Sequence, residues 1–291
     1  MRIIRFLDRG QKWLAAVTDD EQVYRLPQAD FMTLIYQARE QGLTPLELIE
    51  SAFKTANKLT DDWTTLHIVN PIEAPEVWAA GVTYQRSREA RNYEATDGKL
   101  DASTFYDKVY DAERPEIFFK STAARTIGPN EPVTLRTDSR WQIPEPELGL
   151  VLAADASIVG YIVGNDMSCR DIEGENTLYL PQAKIWRNSC SIGPAIRLAE
   201  TVLNPYDFNI VCEIYRDGEV VVKSEASTGE LNRKLDELVS FLARDNDLFD
   251  GTVLLTGTNI VPPNDFTLAP GDRIEISISG IGTLVNPVIS N

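Results

Sequence analysis

Histidine is nearly missing from this chain: among 291 residues only His67 occurs, so no catalytic pair of histidines can be assembled. Alone, it reads as an ordinary surface or core residue. Cysteine is also scarce. Cys169, Cys190 and Cys212 are odd in number and spaced like neither a disulfide framework nor a zinc site. They read as reduced, buried thiols of a cytoplasmic protein. Positive charge is in deficit, with 28 Lys and Arg against 44 Asp and Glu, a net charge of −16. That excess argues against a nucleic-acid partner, because nothing offsets repulsion from a phosphate backbone. No apolar run is long enough to span a bilayer, and Met1 to Asp8 lacks the apolar core of a signal peptide. No Gly-x-Gly-x-x-Gly follows an expected strand, so a dinucleotide fold is not indicated.

What remains is an ordinary globular composition, 43% hydrophobic and 25% charged, at a length suited to one large and one small unit. The segments Arg2 to Leu7, Trp13 to Val17 and Val23 to Leu26 read as strands. Helices are predicted over 30–39, from the recurrence of Phe31, Leu34, Ile35 and Ala38, and from Thr44-Pro45 onward. Pro71 and Pro75 then break the pattern. We therefore expect a small N-terminal α/β domain over 1–70 and a larger domain over 71–291. The latter has many short apolar runs divided by Gly, Pro and Asn. Asp217-Gly218 marks a hairpin, and helices are expected at 86–93 and 231–242. The pattern is a β-dominated α+β fold, without alternating βαβ units.

The chemistry-bearing motif is Glu145-Pro146-Glu147, on the edge of the apolar run Leu148 to Leu152. In an extended segment both glutamates project from one face. The next apolar run, Ile158 to Gly164, ends at Asn165-Asp166 and can pair with the first. Three carboxylates would then meet at one spot and repel one another unless a proton or cation lies among them. An oxygen-only set suits a hard ion, Mg²⁺ or else Ca²⁺ or Mn²⁺. On this pattern alone, a solvated strand end rich in acids is the better reading.

Several ordered stretches resemble the fumarylacetoacetate hydrolase family. They are Glu145 to Leu148, Gly160 to Asp171, Gln182-Ala183-Lys184, Ile192 to Ala195, Thr256-Gly257-Thr258, and Gly271-Asp272 leading to Gly280-Ile281-Gly282. The resemblance runs from about Gly81 to Asn286. It implies the family's mixed β-roll fold, a divalent metal held by Glu145, Glu147 and Asp166, a 2-oxo acid substrate, and a homodimer or homotetramer. It also implies that Lys184 reaches the bound substrate and that Thr258 contacts its carboxylate.

Departures from the family pattern narrow the chemistry. Members that hydrolyse a carbon–carbon bond carry Gly-Arg-Asn-Tyr-x-x-His-x-x-Glu, whose His-Glu pair activates water. Here Ser87 stands at the histidine position and Ala90 at the glutamate position. The loop after Thr258 also departs, with Asn259 to Pro262 in place of Pro-x-Gly. Together with Gly81 to Tyr84 and Arg114 to Lys120, this resembles the branch that dehydrates 2-keto-3-deoxy sugar acids, of the 2-dehydro-3-deoxy-D-arabinonate to 2,5-dioxopentanoate type. Such chemistry needs a base at C3 and an acid at the C4 oxygen, but no nucleophilic water. Lys184 and Glu116 are the catalytic candidates. Arg86, Ser87 and Arg91 are candidates for substrate hydroxyls or carboxylate. Of the alternating pair Phe118 and Phe119, one is expected in the core and one in the pocket, with Phe119 assigned to the substrate. Rival readings are a hydrolase or decarboxylase of an acylpyruvate-like 2-oxo acid, and a non-catalytic binding protein on the same fold.

Overall fold

The computed structural model describes residues 1–54, 57–96 and 109–290. Its frame is a mixed sheet of twelve strands. Four of its central neighbours are Cys190–Leu198, Ile158–Asp166, Pro146–Leu152 and Thr252–Leu255, followed by Glu76–Gly81 and Glu116–Thr122 at one edge. Pro146–Leu152 is buried along its whole length, because both faces of the sheet are covered. Leu148, Leu150 and Leu152 turn to a core shared with Ile210, Ile274 and Leu238. Val151, of opposite parity, packs in a second core with Phe31, Leu34 and Ile49.

The first core lies under a five-stranded sheet that includes Asn209–Arg216, Glu219–Ser227, Arg273–Ile278 and Gly282–Ser290. Its hairpin turns at Asp217 and Gly218, both with positive φ (53° and 86°), the geometry that matches strand twist in a two-residue loop. The second core lies under helices Phe31–Glu40 and Pro45–Ala52. Asp30 caps the first, accepting from the Thr33 amide, and Thr44 with Glu47 forms a reciprocal cap on the second.

The sheet does not stop at the expected division near residue 70. Arg2, Ile3 and Ile4 pair antiparallel with Arg197, Ile196 and Ala195, so the N-terminal strands extend the main sheet. Ile3 and Leu14 belong to the same core as Val151, Ile162 and Val253. The helix expected over 231–242 is also shorter, Leu235–Leu242. Residues before it are held out of the helix: the Asn232 amide donates to Thr83 O, and Arg233 donates to the carbonyls of Ala112 and Glu113. Among the described residues no helix is long and apolar enough to cross a membrane.

Candidate active site

The ladder between Pro146–Leu152 and Ile158–Asp166 builds the acidic centre. Glu147 is opposite Gly164 and Pro146 opposite Asn165, and the Asp166 amide donates to Glu145 O at 3.0 Å. Glu145 and Asp166 therefore face each other, while Glu147 projects from the same side two residues along. Oxygens from all three carboxylates lie within 4.8 Å of one another, and all three residues are buried. The solvated strand end is thereby excluded.

Two buried lysines enter this centre. Lys184 Nζ spans Glu145 Oε2 at 2.6 Å and Asp166 Oδ2 at 3.2 Å. Lys120 Nζ meets Asp166 Oδ1 at 2.5 Å and donates to Met167 O at 2.9 Å. Among the described residues no lysine pairs directly with Glu147; its Oε2 accepts from the Gly257 amide at 2.6 Å. Burial therefore pushes the Glu147 carboxyl well above the ordinary range, and the charges of Asp166 and Glu145 push it further. Burial acts in the same sense on Asp166, but Lys120 and Lys184 outweigh it and hold that carboxyl below its ordinary value. Arg170, 3.9 Å from Glu145 Oε1, is pulled down to about 9 by burial and by neighbouring Arg91. A trio of oxygen ligands that includes one acid without a lysine, raised by its own neighbours, fits a hard divalent cation.

A small cavity of about 10 Å³ opens on the three carboxylates, the scale of one water-sized occupant. Ser87, Arg91, Thr258 and Lys184 all line it, as do Gly81 and Arg170. Ser87 Oγ also donates to Tyr84 O at 2.7 Å, closing the first turn of helix Gln85–Thr96. Glu116 pairs with Gly81 across the edge ladder, and its Oε2 is buried without a hydrogen-bond partner. A Cβ on Gly81 would stand 2.6 Å from that carboxyl, so the absence of a side chain there lets Glu116 lie against the cavity wall.

Three expected residues do not line the cavity: Glu116, which lies behind Gly81, and Arg86 and Phe119, which lie further off. Arg86 is exposed, reaches Val261 O at 3.4 Å, and lines a separate groove with Tyr93 and Val221. Phe119 packs edge-to-face on Trp78, its ladder partner, at 5.4 Å, whereas Phe118 lines the cavity 5.5 Å from Lys184 Nζ. Alternation leaves one phenylalanine of the pair facing the cavity, and it is Phe118; nothing local fixes which face is which. Lys120 and Arg170 were not singled out at all. For Lys120 the signal was its parity: it shares a strand face with Phe118.

The family model for Fumarylacetoacetate (FAA) hydrolase C-terminal matches residues 87–289. The chain belongs to the fumarylacetoacetate hydrolase family. Within it, the chain is 39% identical over 288 residues to 2-dehydro-3-deoxy-D-arabinonate dehydratase of Saccharolobus solfataricus, covering 99% of this chain and 96% of that one. It is 48% identical over 284 residues to a probable 2-keto-3-deoxyxylonate dehydratase of Haloferax volcanii, covering 96% of each. A solved structure of 2-keto-3-deoxy-D-arabinonate dehydratase complexed with magnesium and 2,5-dioxopentanoate superposes with a TM-score of 0.85 at 37% identity. That match covers 100% of this chain and 99% of the other.

Proposed function

We propose that this protein is a Mg²⁺-dependent dehydratase of 2-keto-3-deoxy sugar acids, converting 2-dehydro-3-deoxy-D-arabinonate to 2,5-dioxopentanoate and water. The observation that carries the reading is end-to-end similarity to two dehydratases, joined to a buried triad whose surroundings contain lysines and no histidine. The two relatives' substrate names converge chemically. Oxidising C2 and removing the C3 hydroxyl leaves C4 as the one stereocentre, so D-arabinonate and D-xylonate give the same 2-keto-3-deoxy acid.

Glu145, Glu147 and Asp166 hold the Mg²⁺ ion, which when bound draws charge from the keto and carboxylate oxygens of a 2-oxo acid and so acidifies the C3 protons. Lys184 supplies an ammonium to the enolate oxygen as the C3–H bond breaks. Glu116 takes that proton and returns it to the C4 hydroxyl, whose C–O bond breaks to release water. Loss of a proton from C5 and return of one to C3 gives an enol, which tautomerises to the C5 aldehyde. Ser87, Arg91 and Thr258 orient the substrate carboxylate and hydroxyls, and Phe118 excludes water beside Lys184.

The hydrolase alternative lacks its usual water-activating pair. His67 lines a different cavity with Arg5 and Lys12, and Ser87 and Ala90 occupy the helix positions where the family's His-Glu pair stands. We also place the enzyme in the cytoplasm, a reading supported by three free cysteines. We further propose a homodimer or homotetramer, the assembly that the family resemblance implies. The deciding experiment incubates the enzyme with 2-keto-3-deoxy-D-arabinonate and Mg²⁺. Appearance of 2,5-dioxopentanoate, abolished by EDTA, is expected. Pyruvate with glycolaldehyde would instead mean carbon–carbon cleavage and would overturn the assignment.

A further inference from the structure

One buried acid next to the site has no part in the chemistry derived above. Glu173 lies on the short helix Arg170–Glu175, is almost fully buried, and is not among the residues that line the cavity. Its carboxylate forms an ion pair with Arg91 of helix Gln85–Thr96, and both side chains are sealed from solvent. The same carboxylate accepts from Ser168 Oγ at 3.0 Å. Ser168 stands two residues beyond Asp166, in a short strand, Ser168–Cys169, that pairs with Gln142–Ile143 just before Glu145. Glu173 thus touches the ribbon flanking the triad on one side and the substrate-facing helix on the other.

Arg91 differs from Glu173 in lining the cavity, together with Ser87 one turn earlier. A long arginine side chain has many rotamers, and each must be suppressed before its planar fork can meet an anionic substrate in one geometry. A buried guanidinium also requires a charged partner. We propose that Glu173 is a positioning residue: it fixes the Arg91 guanidinium against the cavity and ties it, through Ser168, to the strand that carries Asp166. The inference rests on the dehydratase reading for its choice of substrate and for nothing else. A merely structural ion pair would alter stability and leave substrate affinity alone.

Glu173→Gln keeps the shape and an acceptor for Ser168 but removes the charge facing Arg91. Two measurements are made on it: steady-state kinetics with 2-keto-3-deoxy-D-arabinonate and Mg²⁺, and amide hydrogen exchange of substrate-free enzyme. KM is expected to rise about tenfold or more with kcat within about threefold, as for residues that orient a binding group. Exchange is expected to quicken over 85–93 and to stay unchanged in helix Leu235–Leu242. Glu173→Asp, which restores the charge on a shorter stem, recovers part of the KM. An unaltered KM in Glu173→Gln overturns the proposal whatever the exchange does. Should that variant fail to fold, Ser168→Ala removes the tie to the strand alone and is expected to move both readouts in the same direction by less. Wild-type behaviour of Ser168→Ala would then overturn the proposal. If the unmodified enzyme turns over no 2-keto-3-deoxy acid, the functional reading has failed; unchanged exchange over 85–93 in Glu173→Gln would then overturn the tie to the helix, and faster exchange there would support it.

Discussion

Two walls face each other across the catalytic cavity, and different physics holds each in place. The strand wall carries Glu147 and Asp166 on paired strands, Pro146–Leu152 and Ile158–Asp166, whose sheet is covered on both faces, with Glu145 just before the first and tied to the Asp166 amide. Moving one of these carboxylates means breaking a ladder. The helix wall carries Ser87 and Arg91 on Gln85–Thr96, which turns Gln85, Arg86 and Glu89 to solvent and is joined to the strand side through Glu173. Changes there leave the sheet intact. On the proposed mechanism, charge stabilisation thus sits on the rigid wall and substrate orientation on the replaceable one. The family resemblance implies the same division, since it puts Ser87 and Ala90 of the helix where hydrolases carry a His-Glu pair and the metal ligands on the strands.

The comparison breaks most visibly on the strand wall. Glu145→Gln removes one charge from the trio without changing its volume, and activity should fall by more than about a thousandfold with the circular dichroism spectrum retained. Residual turnover near the wild-type level would mean that the triad does not organise the reaction. Lys184→Met should be next in size. Loss of one charge-stabilising group in a buried site costs about 10²- to 10⁴-fold in kcat. Magnesium affinity, read by calorimetry, should hold or improve, because the ammonium that pairs with Glu145 and Asp166 is gone. A loss of magnesium binding in Lys184→Met would instead make that lysine part of the ligand scaffold.

Much of the strand wall was legible in the chain because it depends on local parity. Glu145 and Glu147 are two apart, an apolar run follows, and a second run ends at Asp166; antiparallel pairing does the rest. The caps at Asp30 and Thr44 and the Asp217-Gly218 turn were legible for the same reason. What escaped depends on contacts remote in sequence. The pairing of Ile3 with Ile196 was hidden behind Pro71 and Pro75, which look like a boundary but lie in a connection that returns to the same sheet. Lys120 shares a face with Phe118, yet a lysine in a strand ordinarily reads as solvated, and its buried partner Asp166 belongs to another segment. Phe118 and Phe119 could not be told apart, since both are half-buried neighbours and only the remote Trp78 and Lys184 fix which faces the cavity. The Arg91–Glu173 pair joins two helices whose approach no periodicity sets.

The smallest expected effect tests the seam where the helix wall leaves the sheet. Gly81 ends the strand Glu76–Gly81, four residues before the helix begins, and its ladder partner is Glu116. In Gly81→Ala the new methyl would stand 2.6 Å from both Cδ and Oε2 of Glu116. The obstacle is the far end of a flexible side chain rather than backbone, so the carboxyl moves aside and the ladder stays. The melting temperature should therefore shift by no more than about 4 °C, the change that roughly 1 kcal/mol gives in a chain of this size. A carboxyl displaced by about an ångström from its proton-transfer position should cost about tenfold in kcat, with little change in KM. Wild-type kcat in Gly81→Ala would place the acid–base role on a residue other than Glu116. A large drop in melting temperature would instead assign Gly81 to the sheet, leaving the catalytic seam to be sought in the turn that follows it.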